Sequence, residues 1–130
     1  MKNKKTRSQK LALWRKNYIQ NIVAHKAHRN GIRISHICAW NTSKLAYDGS
    51  GAVTRDKDNY SLCTFNTGKR YNCDLSASYN IGARYFIREL LKPFSVKERS
   101  QLEAKVPQLA RRTQCTLSSL LSLMRFLRQK

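Results

Sequence analysis

Acidic residues are scarce in this sequence, and both ends lack them. The chain of 130 residues carries 26 Lys and Arg against 7 Asp and Glu, a formal net charge of +19. No Asp or Glu precedes Asp48, and none follows Glu103. Two cationic arms therefore flank a mixed middle. A charge of this size is an argument about partners rather than about fold. The partner it favours is a phosphate backbone, whose counterions Lys and Arg release on binding. Long apolar runs are absent too. No stretch approaches the ~18 residues that span a bilayer, and residues 1–10 are polar with no apolar run behind them, unlike a secretory leader. No membrane partner is expected, and the setting expected is a reduced, cytoplasmic one of bacterial type. The four cysteines, at 38, 63, 73 and 115, include no C-x-x-C pair. Disulfides are not expected in a reducing compartment. A structural zinc site wants four ligands, usually in close pairs, so zinc is not expected either. There is no P-loop, no Gly-rich dinucleotide fingerprint and no supported Ser-His-Asp arrangement.

What is present reads as helix, strand, irregular β segment and helices. Residues 1–10 form a basic lead-in. From Leu11 the spacing turns helical, with Leu11, Trp14, Tyr18 and Ile22 on one stripe, widened by Ile19, Val23 and Ala27. Asn30-Gly31 stops the helix, and Lys26 and Arg29 suit its negative C-terminal end. The alternating run from Ile32 to Trp40 reads as a strand buried on most of both faces. Residues 41–72 are rich in Asn, Thr, Ser, Gly and Asp. Turn signals stand at Asp48-Gly49-Ser50-Gly51 and Asn66-Thr67-Gly68-Lys69, and β-prone pieces at 51–54 and 60–65, so an irregular hairpin is expected. A helix is expected from Asp74 to Leu91, with Leu75, Tyr79, Gly82 or Ala83, Phe86 and Leu90 on its apolar stripe, Ile87 widening it, and Ser76, Asn80, Arg84 and Arg88 elsewhere. Pro93 follows it. Ser95 then looks like an N-cap with Glu98 in the capping-box position, and a last helix is expected from about Thr116 to Arg128.

Asp74 is the residue with the most chemistry to offer. It can cap its helix by accepting a backbone N–H, or serve as one member of a Mg²⁺-binding acidic cluster. Two-metal nucleases hold ions ~4 Å apart on several carboxylates, which one aspartate cannot supply. His25 and His28 are spaced to share a helix face, and Cys38 suits a buried position. Aromatic and basic residues alternate at Trp14-Arg15-Lys16, Lys69-Arg70-Tyr71 and Arg84-Tyr85-Phe86. Such pairs stack on bases while the cation meets phosphate. The candidate nucleic-acid contacts are therefore Arg15, Lys16, Lys69, Arg70, Tyr71 and Arg84. Trp14 and Phe86 fall on expected core stripes, which leaves Tyr71 and Tyr85 as the better surface aromatics.

Several of these segments, in order, resemble one family. Asn41-Thr42-Ser43, the turn to Gly51, the run from Cys63 to Gly68, and Asp74-Leu75-Ser76-Ala77-Ser78-Tyr79-Asn80-Ile81 are similar to the C-terminal part of TnpB (OrfB-type) proteins. These are transposon-associated, RNA-guided DNA nucleases similar to type V CRISPR effectors. Their third acidic RuvC motif reads roughly D-x-N-A-A-x-N-I. Asp74, Ala77, Asn80 and Ile81 match it, and Ser76 and Ser78 depart conservatively. The resemblance covers about residues 11–91.

The resemblance implies an α/β (α+β) fragment, the C-terminal part of a ribonuclease H-like (RuvC) domain. Residues 11–40 would be its helix and strand, 41–72 a ribbon insertion, 73–92 the third-motif helix, and 93–130 a basic helical tail. Asp74 would be the third catalytic, Mg²⁺-binding acid, and the partners would be DNA and a guide-type RNA. The departures matter as much. The first C-x-x-C pair of the family's ribbon falls on Ala46 and Gly49, and the second near Cys63 and Asn66, so the ribbon would lack zinc. The two upstream catalytic acids have no counterpart before Asp48. The chain is then expected to bind nucleic acid without cutting DNA alone, and a partner carrying the missing nuclease part would be needed. The alternative is an independent basic nucleic-acid-binding module, or an accessory subunit of a split nuclease. A fragment with so few strands is expected to be marginally stable, with open strand edges.

Overall fold

A computed structural model describes residues 6–129. The chain divides into two compact units, one up to His36 and one from Ile37 onward.

The first unit is one long helix and its exit. Helix α1 spans Arg7–Arg29 and is capped by Thr6. The Gln9 amide donates to Thr6 Oγ1 at 3.3 Å and the Thr6 amide to Gln9 Oε1 at 2.9 Å, a reciprocal box that satisfies two otherwise orphan donors. Thr6 and Gln9 thus move the helix start four residues before Leu11. The expected lead-in is helical from Arg7, and its first five residues lie outside the described part. Gly31, at φ 68°, lets the chain leave the helix while the Ile32 amide returns to Ala27 O. No α1 side chain is buried. The expected core stripe is exposed, including Leu11, Trp14 and Tyr18, and Trp14 stacks on Tyr18 with ring centroids 5.6 Å apart. His25 and His28 are exposed as well.

The strand expected over 32–40 does not form; this backbone is irregular. An alternating apolar run becomes a strand only where a neighbour takes up its N–H and C=O groups, and none pairs with it among the described residues. Ile32 and Ile34 are exposed in consequence, and Cys38 is only partly buried.

The second unit opens with turns closed by a Leu45–Ala52 bridge. Three short antiparallel strands follow, β1 (Thr54–Arg55), β2 (Leu62–Thr64) and β3 (Arg70–Asn72), in the order β1-β2-β3. Thr54 pairs with Thr64, and Cys63 with Tyr71. The Asp56 carboxylate shapes the β1–β2 turn by accepting the Asn59 and Asp58 amides, and these bonds hold its pKa below the ordinary aspartate value. The expected hairpin is therefore a three-stranded meander over a small core of Ala46, Cys63, Phe65 and Cys73. Burial beside Cys73 pushes the Cys63 thiol up to about 11.

Helix α2 (Cys73–Leu91) leaves β3 directly. Asn72 caps it, its Oδ1 accepting the amides of Asp74 and Leu75 at 2.9 Å. The cap expected at Asp74 belongs to Asn72, because the helix starts one residue early. Helix α3 (Val96–Lys105) begins at Ser95 with the expected Glu98 box. Two 3₁₀ turns, Pro107–Ala110 and Arg112–Gln114, lead to helix α4 (Leu117–Arg128). A larger core joins Ala83 and Ile87 of α2 to Leu102, Val106, Leu109, Cys115, Leu120 and Leu123. Among the described residues the architecture is α+β, four α-helices with one small antiparallel sheet. No described helix is long and apolar enough to cross a membrane.

Candidate nucleic-acid interface

The inward face of α2 is the expected one only in part: Ala83 and Ile87 are buried as expected, but three polar side chains lie inward with them. Ser76, Asn80 and Arg84 are buried with Cys73, Ala77, Ala83 and Ile87. Leu75, Tyr79 and Phe86 are exposed, Phe86 at 55%. The helix is turned so that three polar side chains point at backbone carbonyls and amides of the flanking segments. Ser76 Oγ accepts the Tyr47 amide at 3.2 Å. Asn80 Nδ2 donates to the carbonyls of Thr42 and Leu45 at 3.0 and 2.9 Å, and its Oδ1 accepts the Leu117 amide at 3.2 Å. Arg84, 4% exposed, donates from Nε to Cys115 O (3.0 Å), from Nη1 to Cys38 O (2.7 Å) and Trp40 O (2.6 Å), and from Nη2 to Thr113 O (2.8 Å). The fixed fork of a guanidinium suits a ring of carbonyls. A buried charge is tolerated when it is fully hydrogen-bonded, and these turns leave carbonyls that no sheet satisfies. Burial lowers the Arg84 pKa from its ordinary value, yet an arginine remains charged. Arg84 is therefore a structural clasp, and its expected place among the nucleic-acid contacts is withdrawn.

A different set of side chains gathers on the exposed side of the meander. Tyr47 lies against Phe65, Tyr71 and Tyr79, with ring centroids 5.5, 5.1 and 5.4 Å away. Lys69 reaches over this cluster. Its Nζ lies 5.1 Å from the Tyr47 ring centre and 4.8 Å from that of Tyr71, and it donates to Tyr47 Oη at 2.6 Å. The ring quadrupoles hold the ammonium there. A hydrogen bond with Tyr79, then burial, raises the Tyr71 pKa above the ordinary phenol value. On β1, the Arg55 guanidinium lies 4.2 Å from the Tyr60 ring centre and donates to Tyr60 O at 3.0 Å. The surface thus presents two cation–aromatic pairs on one meander, the pairing that stacked bases and phosphates use.

Of the candidates read from the sequence, Lys69 and Tyr71 meet at this cluster. Arg70, on the same strand, is exposed and pairs with Asp56 at 2.9 Å. Arg15 and Lys16 are exposed on α1, in the other unit. Tyr85 lies edge-on to Phe86, with Arg88 5.7 Å from its ring centre. Tyr47, Tyr79, Arg55 and Tyr60 were not foreseen. The adjacent Arg-Tyr and Lys-Arg-Tyr steps in the sequence mark β3 but not its partners, which come from a loop, a turn and α2.

Asp74 is exposed in the first turn of α2, where a carboxylate favours the positive end of the helix. Among the described residues no three His, Cys, Asp or Glu side chains gather into a metal site. The residues present do not fit a two-metal centre, which needs several carboxylates. No protein-family model matches the chain, and neither a curated protein nor a solved structure does.

Proposed function

We propose that this chain binds nucleic acid through its cation–aromatic face and is the C-terminal part of a TnpB-type, transposon-associated nuclease, without cleavage activity of its own. The observation that carries the binding is Lys69, held over Tyr47 and Tyr71 in a chain of net charge +19. The Mg²⁺-nuclease part rests on the resemblance. It is supported by an exposed Asp74 at the start of α2, just after a meander in the place of the family's ribbon. In this reading Asp74 is one acid of three, and Mg²⁺ would be held only together with two further carboxylates. The ribbon works without zinc, held by its turns and by the Phe65–Tyr71 packing.

Fluorescence anisotropy with a short single-stranded oligonucleotide, between 50 and 200 mM salt, tests the binding. Each phosphate contact adds about −0.7 to the slope of log K against log[salt] for single strands. Lys69→Ala should flatten the slope by about that amount, and Tyr47→Ala with Tyr71→Ala should weaken binding at every salt concentration. A salt-independent signal, or no binding, refutes the reading. The nuclease part predicts Mg²⁺-dependent cleavage when the chain is mixed with a protein carrying the missing acids, lost in Asp74→Ala. Cleavage unchanged in that variant removes Asp74 from the chemistry. The second reading, an independent module, is favoured by the two hydrophobic cores that the unit from Ile37 onward closes by itself. It predicts the same binding and no gain on mixing.

A further inference from the structure

A cavity of about 300 Å³ lies beside the start of α4, within the second unit. Its lining includes the polar residues Asn41, Gln108, Gln114, Ser118 and Ser122, with Leu45 and Ala46 among its apolar residues. No charged residue lines it, in a chain with 26 Lys and Arg. The helix terminus beside it does not offer free backbone donors. Asn80 Oδ1 takes the Leu117 amide, and Tyr47 O takes the Ser118 amide at 2.9 Å. The polar groups offered by its lining instead include three side-chain amides and two hydroxyls. Gly49 keeps the wall open on one side, since a Cβ there would come within 2.8 Å of Ser118 Oγ.

An anion is poorly matched to this cavity, because no charged residue lines it and the Leu117 and Ser118 amides at the helix terminus are already engaged. A neutral ligand with alternating donors and acceptors is well matched. Side-chain amides present a donor and an acceptor side by side, the pair that reads the edge of a nucleobase, adenine above all. The volume is at the lower end of the ~300–1,000 Å³ of small-molecule pockets, which suits one base or nucleoside rather than a longer chain. The adjacent residues Ala46 and Tyr47 connect it to the proposed nucleic-acid face, as Ala46 lines the cavity and Tyr47 carries Lys69 on its ring.

We infer that this cavity is a receptor for a single unpaired nucleobase, read by the amides of Asn41, Gln108 and Gln114. The inference rests on the nucleic-acid reading, and it adds the part of the strand that is read. Gln108 and Gln114 are exposed elements of 3₁₀ turns, so the double variant Gln108→Ala/Gln114→Ala should keep the fold, which circular dichroism checks. The test compares an adenine-containing single strand with the same strand bearing abasic residues, and adds free adenosine followed by NMR. The wild-type protein should bind the base-bearing strand about tenfold tighter than the abasic one, the scale of one good amide–base contact. The double variant should lose that difference while its abasic binding is unchanged. Adenosine shifts at Gln108 and Gln114 would show that a free nucleoside also enters; their absence, with base discrimination kept, would show that only a base on a strand does. Equal binding of both strands, with no adenosine shifts, overturns the receptor and leaves charge-driven binding standing. Failure to bind either strand overturns both.

Discussion

Replacing Arg84 by Met should remove a large part of the stability of the second unit and should not act first on nucleic-acid binding. The side chain is nearly the right length, so the loss is that of the charge and its bonds. Four carbonyls, at Cys38, Trp40, Thr113 and Cys115, would lose donors at 2.6 to 3.0 Å. Each hydrogen bond to a charged group is worth about 1.5–3 kcal/mol. Water will reach some of these carbonyls, so the contributions will not add in full. A net cost of about 3–5 kcal/mol follows, since each carbonyl left buried without a donor costs about 1–3 kcal/mol. Native domains hold only about 5–15 kcal/mol in total. Arg84→Lys should recover little, because a single ammonium cannot face carbonyls on both sides of the helix. Arg88→Met is the control. Arg88 is exposed and its contact with Glu89 is 3.6 Å long, a surface pair worth about 0–1 kcal/mol. Urea denaturation followed by circular dichroism measures all three. If Arg84→Met falls within about 1 kcal/mol of Arg88→Met, the clasp does not hold the unit together, and a folded Arg84→Met protein with weakened binding would return Arg84 to the interface.

The helix start gives a second test. Asn72→Ala should cost about 1 kcal/mol as a lost N-cap, while Asp74→Ala should cost at most about 0.3–1 kcal/mol as a lost dipole contact; urea midpoints that reverse this order would put the cap back on Asp74. A third concerns pH. Cys63 has its thiol raised from 9.0 to about 11, so the folded state keeps a proton that the unfolded chain releases between those values. The stabilisation is complete below pH 9 and fades as pH rises through 11, and thermal melts should show a steeper decline over that window in wild type than in Cys63→Ala. Finally, α1 buries no side chain, so hydrogen exchange should find its amides far less protected than those of α2 around Ala83 and Ile87; equal protection would show that α1 is held by something.

The sequence was most legible where local chemistry decides the outcome. Ser95 with Glu98, the turn at Gly68, and the amphipathic α4 all formed as their residues indicate. It was least legible where partners decide. The run from Ile32 to Trp40 has a strand's alternation but, among the described residues, no strand to pair with. On α2, periodicity picked out Ala83 and Ile87, which are buried, but also Leu75, Tyr79 and Phe86, which are exposed, while Ser76, Asn80 and Arg84 take their place inside. Hydropathy counts apolar residues, whereas this helix is oriented by carbonyls and amides from segments distant in sequence. For the candidate site, Lys69 and Tyr71 were visible as neighbours in the chain. Tyr47 and Tyr79 were not, because only folding brings Tyr47 under that ammonium and Tyr79 against the Tyr47 ring.

The clasp also has a consequence for synthesis. Arg84 binds Cys38, 46 residues before it, and Cys115, 31 residues after it. On a ribosome, the first half of its coordination ring can assemble while the second half is still being made. The guanidinium must wait, hydrated, until the segment from Thr113 to Cys115 has left the exit tunnel. Only then can α4 seat and the Asn80 carboxamide receive Leu117. Completion of this unit is therefore tied to its last fifth, and a chain stopped before Thr113 would hold its cation half-surrounded.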